Sequence, residues 1–254
     1  MIEEAWLKCA IDPTPMVKFM SHRSSERKSR LFACACCRRI WHLLVYESSR
    51  TAVEVAEQYA DGMTGKQELD RACAQAEEDA QLLLDEYCPD DADSGSDEMN
   101  DLTERGSLDL MAGISACMSA STDSPVRSAI TSSHGFARDA VAHAAVPQLH
   151  DVIQLEEPAE RQEARFREAT AQIALLREIY GNPFRPVSVN PAWLTSTVLA
   201  LATGIYEDKA FDRMAILADA LQDAGCDNED ILNHCRQSEV HVRGCWVIDL
   251  LLAK

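Results

Sequence analysis

A chain of 254 residues with a formal charge of −18 is long enough to bury roughly 70–75% of its unfolded surface, so its core needs no disulfide staples. The charge argues against general nucleic-acid binding, because a polyanion is repelled unless basic residues gather into a patch. Apolar residues make up 46% of the chain and aromatic ones 6%, which leaves packing to Ala, Leu and Val and favours helices over a sandwich or barrel.

The first thirty residues hold no apolar signal-like run, and nothing later approaches the roughly 20 apolar residues that span a bilayer. A soluble cytoplasmic protein with no membrane attachment is expected. Ten irregularly spaced cysteines in a chain of this size read as reduced thiols rather than as a disulfide framework.

In chain order, Thr14-Pro15 reads as an N-cap followed by a first-turn proline. Ser24 or Ser25 with Glu26 opens a long helix through FACACCRRIWH, and Ser48 or Ser49 opens another that ends at Asp61-Gly62. Thr64 caps a further helix running to Tyr87. Residues 85–104 then carry nine Asp or Glu and no Lys or Arg, interleaved with Ser, Gly and Pro. Like-charge repulsion and low hydrophobicity predict a flexible acidic loop over 88–105.

Two Ala- and Ser-rich segments, SLDLMAGISACMSAS and SPVRSAITSSHGFARDAVAHAAV, are expected to be helical. Residues 157–180 show an amphipathic pattern through Phe166, Ile173, Leu176 and Ile179, closed by Gly181. NPFRPVSVNP, with three prolines in ten residues, can only be a connector. Beyond it come three short helices, with Asp212 and Asp227 as candidate N-caps and Gly225 as a C-terminal cap, and then an apolar final helix. The prediction is an all-α protein, an irregular helical bundle or HEAT-like array. Its segments are 1–87, the loop 88–105, and 106–254, the last packing with 1–87 as one domain.

The sulfur-rich stretch from Phe32 to His42 draws attention first. From Leu31 to Val45 only Arg38, Arg39 and His42 interrupt an apolar cylinder, and a helix apolar nearly all round is a buried one, in which cysteine acts as a small hydrophobe. A zinc site built there needs a second segment. The donors available are Cys226, His234, Cys235, His241 and Cys245, and the resulting candidate is a four-ligand subset of Cys34, Cys37, Cys235, His241 and Cys245. Cys235, His241 and Cys245 follow a C-x5-H-x3-C spacing, unlike the usual paired C-x2-C pattern. Cys245 with His241 is also a conceivable nucleophile pair, though its apolar surroundings predict an unactivated thiol.

Residues 1–50 hold nine Lys or Arg against five Asp or Glu. An anion or nucleic-acid site there would use Arg23, Arg27, Lys28, Arg30, Arg38 and Arg39. Arg185, set between Pro183 and Pro186, is expected to pin its connector through an ion pair. No phosphate loop, H-E-x-x-H, G-x-S-x-G or dinucleotide fingerprint occurs in the sequence.

AWLKCAIDPTPM, RKSRLFACACCRRIWHLL, GNPFRPVSVNPAWLTSTV, AFDRMAILADALQDAGC and HVRGCWVIDLLLAK together resemble a planctomycete protein family with many paralogues. That family offers no established activity or cofactor to carry over. The resemblance covers the two ends of the chain and implies a variable middle section, and it departs at Ala253, where glycine is expected. The expectation is a non-enzymatic interaction or scaffold protein with a protein partner and no cofactor. A zinc-stabilised Cys/His domain is the first alternative, and the anion-binding reading is the second.

Overall fold

The computed structural model of the chain describes residues 1–44, 46–87, 159–237 and 240–254. Among these residues every regular element is a helix, and the protein is an all-α helical bundle. The helices are α1 Glu3–Lys8, α2 Thr14–Met20, α3 Glu26–Arg39, α4 Glu47–Ala60, α5 Lys66–Tyr87, α6 Ala159–Tyr180, α7 Ser196–Glu207, α8 Met214–Asp223, α9 Glu229–Arg236 and α10 Trp246–Leu252. The acidic loop 88–105 and the two Ala- and Ser-rich segments fall outside the described residues. No described helix is long and apolar enough to cross a membrane. The chain divides into two compact units, one of Met1–Lys8 with Ala174–Lys254 and one of Cys9–Ile173.

In the Cys9–Ile173 unit, Ser25 caps α3 by accepting the Lys28 backbone N–H at 3.2 Å. Behind that cap Ser29 to Cys37 are buried without a break, but the helix expected to run through His42 ends at Arg39, and Trp41–Leu43 form a 3-10 turn in which His42 is exposed. Helix α4 packs against both α3 and α5, offering Ala52, Val53 and Ala56 as buried small residues. The charges closing α3 are answered internally. Arg38 donates to both oxygens of Glu57 at 2.9 Å each, and Arg39 Nε meets the Glu168 carboxylate of α6 at 2.9 and 3.0 Å.

Several predicted starts shift for identifiable reasons. At α2 it is Asp12, not Thr14, whose side chain organises the turn, accepting from the Thr14 N–H at 3.0 Å and its hydroxyl at 2.7 Å. Helix α4 begins at Glu47, ahead of the serines, with no side-chain cap. Asp212 sits inside a single 3-10 turn, 211–213. Asn228, not Asp227, caps α9 by accepting from the Ile231 N–H at 3.1 Å. Phe166, read as a core position of α6, is half exposed.

The other unit is built on Val198, Ala202 and Ile205 of α7, Leu217 and Leu221 of α8, Ile231 of α9, and Val247, Ile248 and Leu251 of α10. Helix α8 packs on α7 and α9, and α10 on α7. Helix α1 is tied into this unit at both ends. Arg177 donates to the carbonyls of Trp6 and Leu7 at 3.0 and 2.9 Å, complementing the negative end of the short helix. Glu3 accepts from Asn182 at 2.7 Å and pairs with Arg185 at 2.5 Å, which is the ion pair expected for the proline-rich connector.

Candidate metal centre

Four side chains converge in the unit of Met1–Lys8 and Ala174–Lys254. Glu178 comes from the last turn of α6, His234 from the last turn of α9, and His241 and Cys245 from the connector between α9 and α10. All four are buried, and one ligand-type atom from each lies within 4.8 Å of every other. Local sequence explains the aim of each. Glu178 follows the buried Leu175 by three positions and His234 follows the buried Ile231 by three, so both share a helix face with core residues. The connector is turned back by a Cys245 N–H bond to the Val242 carbonyl at 3.0 Å, with Gly244 at φ 93°.

The contacts point inward to a common centre. His234 Nε2 lies 3.2 Å from Cys245 Sγ and 3.2 Å from Glu178 Oε2. His241 Nδ1 lies 3.1 Å from both carboxylate oxygens. A nucleophilic relay of Cys, His and Glu places the thiol and the carboxylate on opposite ring nitrogens. Here sulfur and carboxylate approach the same nitrogen, which carries a single proton or a single lone pair. Such a group could hold a metal ion.

Electrostatics agree. Burial pushes the Cys245 thiol well above its ordinary range, the charge of Glu178 adds to this, and backbone N–H groups of Ile248 and Val247 pull partly back. A thiol so placed is no nucleophile at neutral pH. Burial also raises the Glu178 carboxyl, but hydrogen bonds from His234 and His241, with their charges, more than cancel this and hold it at about 2. The carboxylate is therefore ionised over the whole physiological range. His241 Nε2 is buried without a hydrogen-bond partner.

The residues singled out from sequence are distributed as follows. His241 and Cys245 belong to the cluster. Cys235 does not. It is buried on α9, its thiol pushed up to about 12 by burial and then by the charge of Glu178. Cys34 and Cys37 are core residues of the Cys9–Ile173 unit, with Cys34 Sγ 3.8 Å from the Val53 carbonyl. The helix that would have set His241 opposite Cys245 starts only at Trp246, and the imidazole touching Cys245 is that of His234.

Among the basic residues, Arg27 pairs with Asp61 at 3.0 Å and Arg30 with Glu26 at 3.2 Å. Arg38 and Arg39 hold Glu57 and Glu168. Arg23 stacks on Phe19 at 4.1 Å, and the Lys28 backbone serves the α3 cap.

Sequence reasoning missed Glu178 and set His234 aside. The legible signal was an imidazole three residues after Ile231 on an apolar helix face. Glu178 looked like one more charge on a charged helix. No protein-family model matches this chain, and no curated protein or solved structure matches it.

Proposed function

We propose that the unit of Met1–Lys8 and Ala174–Lys254 is a zinc-stabilised helical domain, held by Glu178, His234, His241 and Cys245, with a structural and non-catalytic role. The observation that carries this reading is the double approach of Cys245 Sγ and Glu178 Oε2 to His234 Nε2 at 3.2 Å. Imidazole, thiolate and carboxylate are zinc's usual donors, whereas calcium and magnesium take oxygen sets.

Size and charge support the choice. A tetrahedron with Zn–N near 2.0 Å and Zn–S near 2.3 Å has edges of about 3.3–3.6 Å, so the contacts of 3.1–3.2 Å need to open by a few tenths of an ångström, while the widest separation in the set, within 4.8 Å, closes. One thiolate, one carboxylate and two neutral imidazoles sum to −2, and a divalent ion brings the buried site to neutrality. Four protein ligands leave no open coordination position, which marks a structural site. A scaffold in the cytoplasm that uses this domain to present its surface to a protein partner fits the same picture.

The test is metal analysis of tag-free protein, with thermal melts before and after chelation. About one equivalent of zinc and a loss of at least 10 °C on chelation are expected, since structural zinc contributes folding free energy directly. Well under one equivalent, with an unchanged melt, would overturn the reading.

A further inference from the structure

The second ring nitrogen of His234 has a partner of its own. Gln237 ends α9 as its C-cap residue, with its backbone N–H bonded to the Asn233 carbonyl at 3.0 Å. Standing three positions after His234, it brings its side-chain amide back over the last turn, and Gln237 Nε2 lies 3.2 Å from His234 Nδ1. The amide can donate to Nδ1 through its nitrogen or accept from it through its oxygen, according to the tautomer. On the other side of the ring, Nε2 lies 3.2 Å from both Glu178 Oε2 and Cys245 Sγ.

Metal binding at Nε2 selects one of these arrangements. The Nε2 lone pair must be free of a proton, so Nδ1 carries it, and a proton on Nδ1 needs an acceptor. A glutamine amide supplies either face by a half-turn about its last torsion. We infer that Gln237 is the positioning residue of the metal centre: its amide presents oxygen to His234 Nδ1–H, fixing the tautomer that leaves Nε2 free to coordinate. The Cys245 thiol gives its proton to solvent as its sulfur binds the ion. This inference rests on the zinc reading above and adds that the affinity of the site is set partly by a residue that never touches the ion.

Partners of ligating histidines in other sites are worth about 10–100-fold in metal affinity. The experiment compares zinc affinity, by competition with a chromophoric chelator, in wild type, Gln237→Leu and Gln237→Glu. The leucine variant keeps size but loses the acceptor, and it should bind about 10–100-fold more weakly. The glutamate variant is an obligate acceptor and should bind at least as tightly as wild type. Nitrogen-15 spectra of the wild-type histidines provide a second readout independent of any variant. Zinc addition should move His234 to the Nδ1–H tautomer with Nε2 coordinated.

Wild type that binds zinc with equal affinity in all three forms, or that shows His234 ligating through Nδ1, overturns the role of Gln237 and leaves the metal site standing. Wild type that takes up no zinc overturns the metal site itself. Loss of affinity in both variants indicates damage to the α9 terminus and also counts against the inference.

Discussion

The imidazole of His234 leans on the indole of Trp246, ring centroids 5.1 Å apart and tilted by 55°, and Gly181 lies close to the same indole. A Cβ placed on Gly181 would stand 3.2 Å from two indole carbons, and the backbone there is left-handed at φ 62°. Both the space and the torsion disfavour a side chain. Gly181→Ala should therefore cost about 2 kcal/mol in chelator-treated protein, the sum of torsional strain and a displaced indole. Through Trp246 and His234 it should also weaken zinc binding several-fold. Denaturant titration with and without zinc reads both, and an unchanged zinc affinity would show that Trp246 does not brace the ligand.

The thiols of α3 are packing atoms. Cys36 is fully buried, and burial first, then the charge of Glu168 and the neighbouring thiols, hold its pKa well above the ordinary range. Replacing sulfur by a hydroxyl puts a polar group where water does not reach. Cys36→Ser should cost about 1–3 kcal/mol, more than Cys36→Ala, which loses only one well-packed atom. A serine variant as stable as wild type would mean that the site is wetter than its burial implies. Alkylation under native conditions should leave Cys36, Cys235 and Cys245 untouched and reach the partly exposed Cys9 first.

How legible the molecule was depended on whether a signal was periodic or spatial. Buried α3 was readable because nine successive residues share one fate, and α6 was readable from its repeating apolar stripe, though Phe166 shows that an aromatic on that stripe need not be buried. Ends were less legible. Asp12 and Asn228 displaced Thr14 and Asp227 as organisers because neighbouring polar residues compete for the same backbone N–H groups, and only the local torsions decide between them. The metal centre was half legible for a different reason. Cys245 and His241 announce themselves by type, whereas Glu178 lies 63 residues from His241 in sequence and is distinguished only by facing inward.

Arg39 offers a test of whether the basic residues near the start hold the fold together. Its guanidinium covers Glu168, whose carboxylate is almost fully buried and also accepts from Gln172 at 3.2 Å. Arg39→Met strands that carboxylate. Breaking a buried pair from one side costs about 3–5 kcal/mol, but a third of Arg39 is open to solvent, so a loss of about 2 kcal/mol is the expectation. Adding Glu168→Gln to the same chain should recover most of it, and a double-mutant cycle measures the coupling directly. If the single variant is neutral, the ion pair is not structural and an external anion becomes the better explanation of the basic cluster.

Ala253 closes α10 in a left-handed conformation, φ 53° and ψ 44°, with its N–H and that of Lys254 both bonded to the Asp249 carbonyl. This is the position at which helices most often place glycine, because a Cβ crowds the following carbonyl when φ is positive. Glycine at this position would relieve that crowding. Alanine holds the turn at a torsional cost of about 1–2 kcal/mol, set against a smaller gain from the reduced freedom of the unfolded chain. Ala253→Gly should then stabilise the protein by roughly 0.5–1 kcal/mol, raising Tm by about 1–4 °C at this chain length. The substitution lies seven residues beyond Trp246, so zinc affinity should be unchanged and the gain should appear equally in zinc-loaded and chelated protein. A lower Tm for the glycine variant would mean that α10 frays before Ala253 and that the left-handed cap is not populated in solution.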